Sequence, residues 1–214
     1  MRILFTGFDP FGGEKINPAF EAVKLLPDTI AGAEVIKVEI PTVFNKGPEV
    51  MLDAVKKYEP DYVICVGQAG GRQTFTPEFV GINYQDARIK DNSGAQPIDV
   101  KIVEDGADAY FTLLPVRSIV QELKSRGIPA SISYTAGTFV CNDVMYRLLH
   151  YINTTGSKII GGFIHVPYAC EQAVNLPATT PSMSLQMISD GLRIAAEVTI
   201  IGGREAIGSM GETD

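Results

Sequence analysis

The chain has 214 residues, 45% hydrophobic and 20% charged, enough apolar material for one ordinary globular domain with a substantial core. Its formal net charge of −7 argues against nucleic acid or an anionic membrane as partner, since either needs a basic surface. No stretch approaches the roughly 20 apolar residues of a membrane span, and three cysteines without a CxxC or metal-like spacing fit free thiols in a reducing, cytoplasmic compartment.

Apolar strands alternate with amphipathic helices along the chain. Arg2 to Thr6 reads as a first strand; it breaks at Gly7-Phe8-Asp9-Pro10 without the apolar region or cleavage site of a signal peptide. Pro18 to Leu26 is predicted helical, with Asn17 as N-cap, Pro18 at the first position and Pro27 closing it. Glu34 to Ile40 alternates polar and apolar as a strand does, and Gly47 to Tyr58 carries Val50, Met51, Ala54 and Val55 at helical spacing. Tyr62 to Val66 is a continuous apolar run, the pattern of a strand buried on both faces.

The segment from Pro77 to about Ile102 lacks helical periodicity and is predicted to form strands and loops outside this rhythm. A helix over Pro115–Arg126, a strand over Ile128–Tyr134, a helix from Cys141, a strand over Lys158–Ile164 and a last helix over Ser182–Val198 follow. Residues 1–201 therefore read as a single α/β domain, a three-layer α/β/α sandwich on a twisted mixed sheet. The small, polar tail over 202–214 is expected to fray.

The two Gly-rich loops leave strand ends, where open α/β sheets bind ligands. Neither Gly7–Glu14 nor Gly67–Gly71 supplies a phosphate-loop or dinucleotide fingerprint, since Gly13 and Glu14 stand where Lys and Ser/Thr are needed. Phe8 and Phe11 in the first loop are candidates for an apolar wall.

Cys141 falls at the start of a helix marked by Val144, Met145, Leu148, Leu149 and Ile152. The free N–H groups and positive dipole end there favour an anion, so a lowered thiol pKa is expected. Only two histidines are available to pair with it. His150 lies nine residues on, on the opposite helix face and roughly 13 Å along the axis, and is expected at the surface. His165 closes a strand, whose end can meet a helix start at one sheet edge; a thiol beside an imidazole is an activated nucleophile whose base needs a third, orienting group. Glu78, Asp86, Asp91 and Asp143 are all candidates for that group. Asp143 is also explained as a first-turn acid favoured by the dipole, and Glu78 shares a face with Arg88 if one strand runs unbroken between them.

Taken together the segments resemble the pyroglutamyl peptidase I (pyrrolidone carboxyl peptidase) family of cysteine peptidases. The motifs are Thr6–Gly13 with Asn17-Pro18, Gly67–Arg72, Thr76-Pro77-Glu78, Ile82-Asn83, Asp86-Ala87-Arg88, Thr135–Asn142, Phe163–Tyr168 and Pro181–Leu185. The resemblance implies a Glu78–Cys141–His165 triad and a substrate pocket walled by Phe8, Phe11 and Phe139. It also implies backbone contacts near Gln68 and Val140, and Arg88 beside the oxyanion. Substrates would be peptides with an N-terminal pyroglutamyl (5-oxoprolyl) residue; no metal or organic cofactor is implied, and a homotetramer is. Phe79, Asp143 and Cys170 depart from the family pattern. A nucleoside phosphorylase on a similar scaffold and a non-catalytic module that binds capped peptide ends are the rival readings.

Overall fold

The computed structural model describes residues 1–202 and 210, so the expected fraying of the tail concerns residues that lie, apart from Gly202 and Met210, outside the described ones. Six strands form the main sheet in the order β2-β3-β1-β4-β8-β5. These are β1 (Arg2–Phe8), β2 (Thr29–Ile30), β3 (Ala33–Ile40), β4 (Tyr62–Gln68), β5 (Thr76–Pro77) and β8 (Ile160–Val166). The central four run parallel, while β2 and β5 pair antiparallel at the edges. Strands β1 and β4 are largely apolar because both faces are covered; Ile3, Leu4, Phe5, Val63, Ile64, Cys65 and Val66 are all fully buried.

Helices α1 (Pro18–Lys24), α3 (Val116–Ser125) and α6 (Leu185–Ile201) close one face around Ala22, Ile119, Leu123, Leu192 and Ala195. Helices α2 (Lys46–Tyr58) and α4 (Val140–Thr155) close the other around Met51, Val144, Leu148 and Leu149. Truncating any of these buried leucines to alanine should cost about 2–5 kcal/mol. Two small ribbons complete the chain: β6 (Val80–Ile82) pairs with β7 (Ala109–Phe111), and β9 (Tyr168–Ala169) with β10 (Ser182–Met183), the latter flanking the one-turn helix α5 (Cys170–Ala173).

This topology creates a crevice. From β1 the chain crosses by α1 to β3 on one side, and then by α2 to β4 on the other. The loops after β1 and β4 therefore diverge over the carboxyl ends of neighbouring strands, the place where open α/β sheets bind ligands. Asn17 caps α1 through a bond from the Ala19 amide and also donates to Asp9 O at 2.9 Å, which fixes the β1 loop. Gly7 is obligatory there: a Cβ on it would stand 2.6 Å from Phe20 Cα, so closely does α1 lie on β1.

Three expected elements differ. Residues 128–134 form no regular strand; only the bridges Phe75↔Ala130 and Glu78↔Ser133 connect them to the sheet edge. Their neighbour β5 is two residues long, so there is no continuous ladder to join. The last helix begins at Leu185 with Ser184 as its cap, because Ser182 and Met183 pair with β9 instead. Strand β8 runs on to Val166, which puts His165 inside the strand rather than just beyond it.

Candidate active site

His165 lies between Gly67 of β4 and Thr76 of β5 in the sheet register. Its Nδ1 is 2.7 Å from Glu78 Oε1, with both side chains buried. Glu78 is held there by its own amide, which donates to Phe163 O at 2.9 Å, so the glutamate and the histidine are carried by adjoining backbone. Cys141 is the second residue of α4. Its sulfur rests against Gly67, where a Cβ would come within 3.0 Å of it. Asn142, fully buried, clamps the start of α4 to the β6 segment: its side-chain amide donates to Ile82 O and Tyr84 O and accepts from the Ile82 amide.

Cys141 and His165 share a cavity of about 200 Å³ with Phe8, Phe11, Gln68, Arg72 and Phe139. The aromatic wall is braced from outside, for Phe139 meets Phe11 at 6.4 Å and Phe44 edge-on at 5.2 Å between ring centroids. Asp91 accepts the Phe44 amide and binds Ser93 and Ala95 through its other oxygen, while Asn92 donates to Asp9 and Pro10, so the 91–95 loop fixes both halves of this wall. Among the third-group candidates only Glu78 faces the imidazole. Asp91 organises that loop, Asp86 is exposed, and Asp143, fully buried, pairs with Arg147 at 2.8 Å and accepts the Asn45 amide.

Arg88 is exposed and is not among the residues that line the cavity, and the chain leaves the strand after Ile82, so the unbroken alternation that would align it with Glu78 does not exist. Nor is a standing thiolate supported. Burial first, then the Glu78 carboxylate, push the Cys141 thiol up to about 12 against the pull of Arg72 and of the residue's own amide. The helix start is outweighed because the sulfur is enclosed although the residue keeps some exposure. Burial and the Glu78 charge thus favour the protonated thiol over the thiolate. Alkylation of Cys141 by iodoacetamide, followed by peptide mapping, should therefore still be accelerating at pH 9, where an ordinary thiol of pKa about 8.5 is levelling off. A plateau below pH 8 would reveal a pre-formed thiolate–imidazolium pair.

Burial also pushes Glu78 up, but the His165 hydrogen bond and the charges of His165 and Arg72 outweigh it and leave the carboxyl below its ordinary value. Val140 turns its side chain to Gly47 in the core, so only its backbone is available to the cavity. His150 is half-buried rather than at the surface, bonded to Tyr110 Oη at 3.1 Å and stacked on Tyr146, and it does not line the cavity. Arg72 is the residue that motif reading did not single out. Its signal was the Gly70-Gly71 pair, which turns the chain back so that its Nη1 lies 2.6 Å from Glu78 Oε1.

The family described as Pyroglutamyl peptidase matches residues 1–201. The pyrrolidone-carboxylate peptidase of Enterococcus faecalis is 59% identical over 200 residues, covering 94% of this chain and 93% of its own. That of Staphylococcus saprophyticus is 54% identical over 213 residues, covering 100% of both chains. The crystal structure of pyroglutamyl peptidase I from Bacillus amyloliquefaciens superposes with a TM-score of 0.90 at 49% identity, covering 94% of this chain and 95% of that one. A mutant pyrrolidone carboxyl peptidase from the hyperthermophile Pyrococcus furiosus gives 0.90 at 42% identity, covering 94% and 99%.

Proposed function

Because the chain belongs to the pyroglutamyl peptidase family, we propose that its Glu78, Cys141 and His165 form the triad that performs the family's reaction. The protein is a cysteine peptidase that removes N-terminal pyroglutamate from peptides. The observation that carries the assignment of residues is the 2.7 Å contact of His165 Nδ1 with Glu78 Oε1, at the wall of a cavity that also contains Cys141.

With Nδ1–H donated to the carboxylate, Nε2 is free to accept the thiol proton as sulfur attacks the pyroglutamyl carbonyl. The amides of Val140 and Cys141 lie at the start of α4, before the first intrahelical bonds from Asn142 and Asp143 to Phe139 O, and supply donors for the oxyanion. His165 then returns its proton to the leaving amine, and water activated by the same nitrogen hydrolyses the thioester. Phe8, Phe11 and Phe139 at the cavity wall suit a neutral lactam ring, and Gln68 borders the same cavity.

A fluorogenic amine coupled to pyroglutamate tests the reading. Release should be at least about 10³-fold faster than from the prolyl derivative, which lacks the ring carbonyl and brings a charged amine that the aromatic wall would leave unpaired. Equal rates would end it, and so would tight binding of a pyroglutamyl peptide without turnover. The finer reading is a cytoplasmic homotetramer. Its support is the set of three free cysteines, the family resemblance, and an apolar surface where Phe111 is 66% and Leu113 45% exposed beside Phe79.

A further inference from the structure

The turn after β4 does more than line the cavity. Gly70 has no room for a side chain, since a Cβ would fall 2.3 Å from the Tyr168 ring, and Gly71 adopts a φ of +91°. The Ala69 amide is held by Val166 O, and the Arg72 amide returns to Ala69 O. This tight turn aims Arg72 inward, where its guanidinium joins three segments. Nη1 donates to Thr76 Oγ1 at 2.9 Å and to Glu78 Oε1 at 2.6 Å, and Nη2 to Thr135 O at 3.2 Å.

Arg72 and His165 thus bind the same carboxylate oxygen, while Glu78 Oε2 is buried with no hydrogen-bond partner among the described residues. The titratable groups facing Glu78 are Arg72 from this turn, His165 from β8 and Cys141 from α4, with Cys65 on β4 near the sulfur. When the imidazole is neutral, Arg72 is the sole full positive charge in that set. A fully buried carboxylate that loses its cation takes up a proton rather than remain charged. A protonated Glu78 no longer commands the Nδ1–H tautomer, and Nε2 stops being the free base.

We propose that Arg72 is a positioning residue that keeps the buried Glu78 ionised beside a neutral His165, and so holds the imidazole in the tautomer able to take the Cys141 proton. The proposal rests on the triad reading above. Arg72 also opposes the upward push of Glu78 on the thiol, so the carboxylate orients the base at less cost to the nucleophile.

The test is steady-state cleavage of the fluorogenic pyroglutamyl amide from pH 6 to pH 9 by wild type, Arg72→Gln, Arg72→Lys and Cys141→Ala. Arg72→Gln should lose roughly tenfold in kcat at pH 9 with KM within about threefold, and the deficit should widen as pH falls, up to about tenfold per unit, as Glu78 protonates. Arg72→Lys keeps the charge and should show a deficit constant with pH. A constant deficit in Arg72→Gln, or one confined to KM, overturns the proposal, since loosened packing or lost substrate contact gives that pattern. Should Arg72→Gln fail to fold, a deficit in Arg72→Lys that widens at low pH overturns it, and a constant one supports it. Activity in Cys141→Ala would instead bring down the triad reading itself.

Discussion

Replacing Cys141 by alanine should lower release of the fluorogenic amine by about 10⁴-fold or more. His165→Ala should fall as far, and the double variant little further, because base and nucleophile serve one step. The loss in Glu78→Gln should be smaller, about 10²- to 10⁴-fold: the amide still fills the buried site, but it no longer fixes which imidazole nitrogen carries the proton. His150→Ala is the control. It bonds Tyr110 and stacks on Tyr146 away from the cavity, so kcat/KM should hold within about threefold even if some stability is lost. An active Cys141→Ala enzyme, or a His150→Ala enzyme as impaired as His165→Ala, contradicts this assignment.

The second large effect is expected from a single methyl group. Gly67 sits on β4 directly opposite His165, and a Cβ there would lie 2.8 Å from Phe163 Cζ and 3.0 Å from Cys141 Sγ. Phe163 cannot easily give way: it is fully buried, 6.2 Å from the Phe8 ring and 4.9 Å from His165. Gly67→Ala must therefore displace the sulfur, the aromatic ring or both. Overpacking of this kind costs about 1–3 kcal/mol of stability. The misplacement should also cost roughly 100-fold in kcat/KM, since nucleophile and base act only in register. Denaturant unfolding would measure the first, and the fluorogenic assay the second. A variant with wild-type kcat/KM would mean that the sulfur is not confined against the strand.

The same packing limits what other substitutions report. Asn142 is fully buried, and its side chain saturates three backbone groups of residues 82–84. Removing it would combine unpaired buried polar groups with a shifted nucleophile, so loss of activity there would not separate chemistry from structure.

Much of this architecture is legible in the chain, and for identifiable reasons. The period of Val144, Met145, Leu148, Leu149 and Ile152 marks a helix because each residue faces one continuous apolar cluster. The unbroken run at 62–66 marks a strand with helices on both faces. Asn17-Pro18 announces a helix start since both cap and first-turn requirements are local. Residues 128–134 alternate as a strand should, yet they meet an edge so short that they pair with it only through isolated bridges. Arg88 illustrates the same limit, for a period-two count holds only while the strand lasts.

Residue types and short-range order are what the chain determined unaided: one α/β domain, a cysteine at a helix mouth, a histidine on a strand, glycine turns at strand ends. Each follows from interactions between residues a few positions apart. Tertiary structure alone decided that Glu78 rather than Asp86, Asp91 or Asp143 faces the imidazole, that Arg72 shares its carboxylate oxygen, and that burial opposes ionisation of the thiol. Those outcomes depend on burial and on charges brought together from β4, β5, β8 and α4. Neither dielectric surroundings nor distances across the sheet are written in any local pattern.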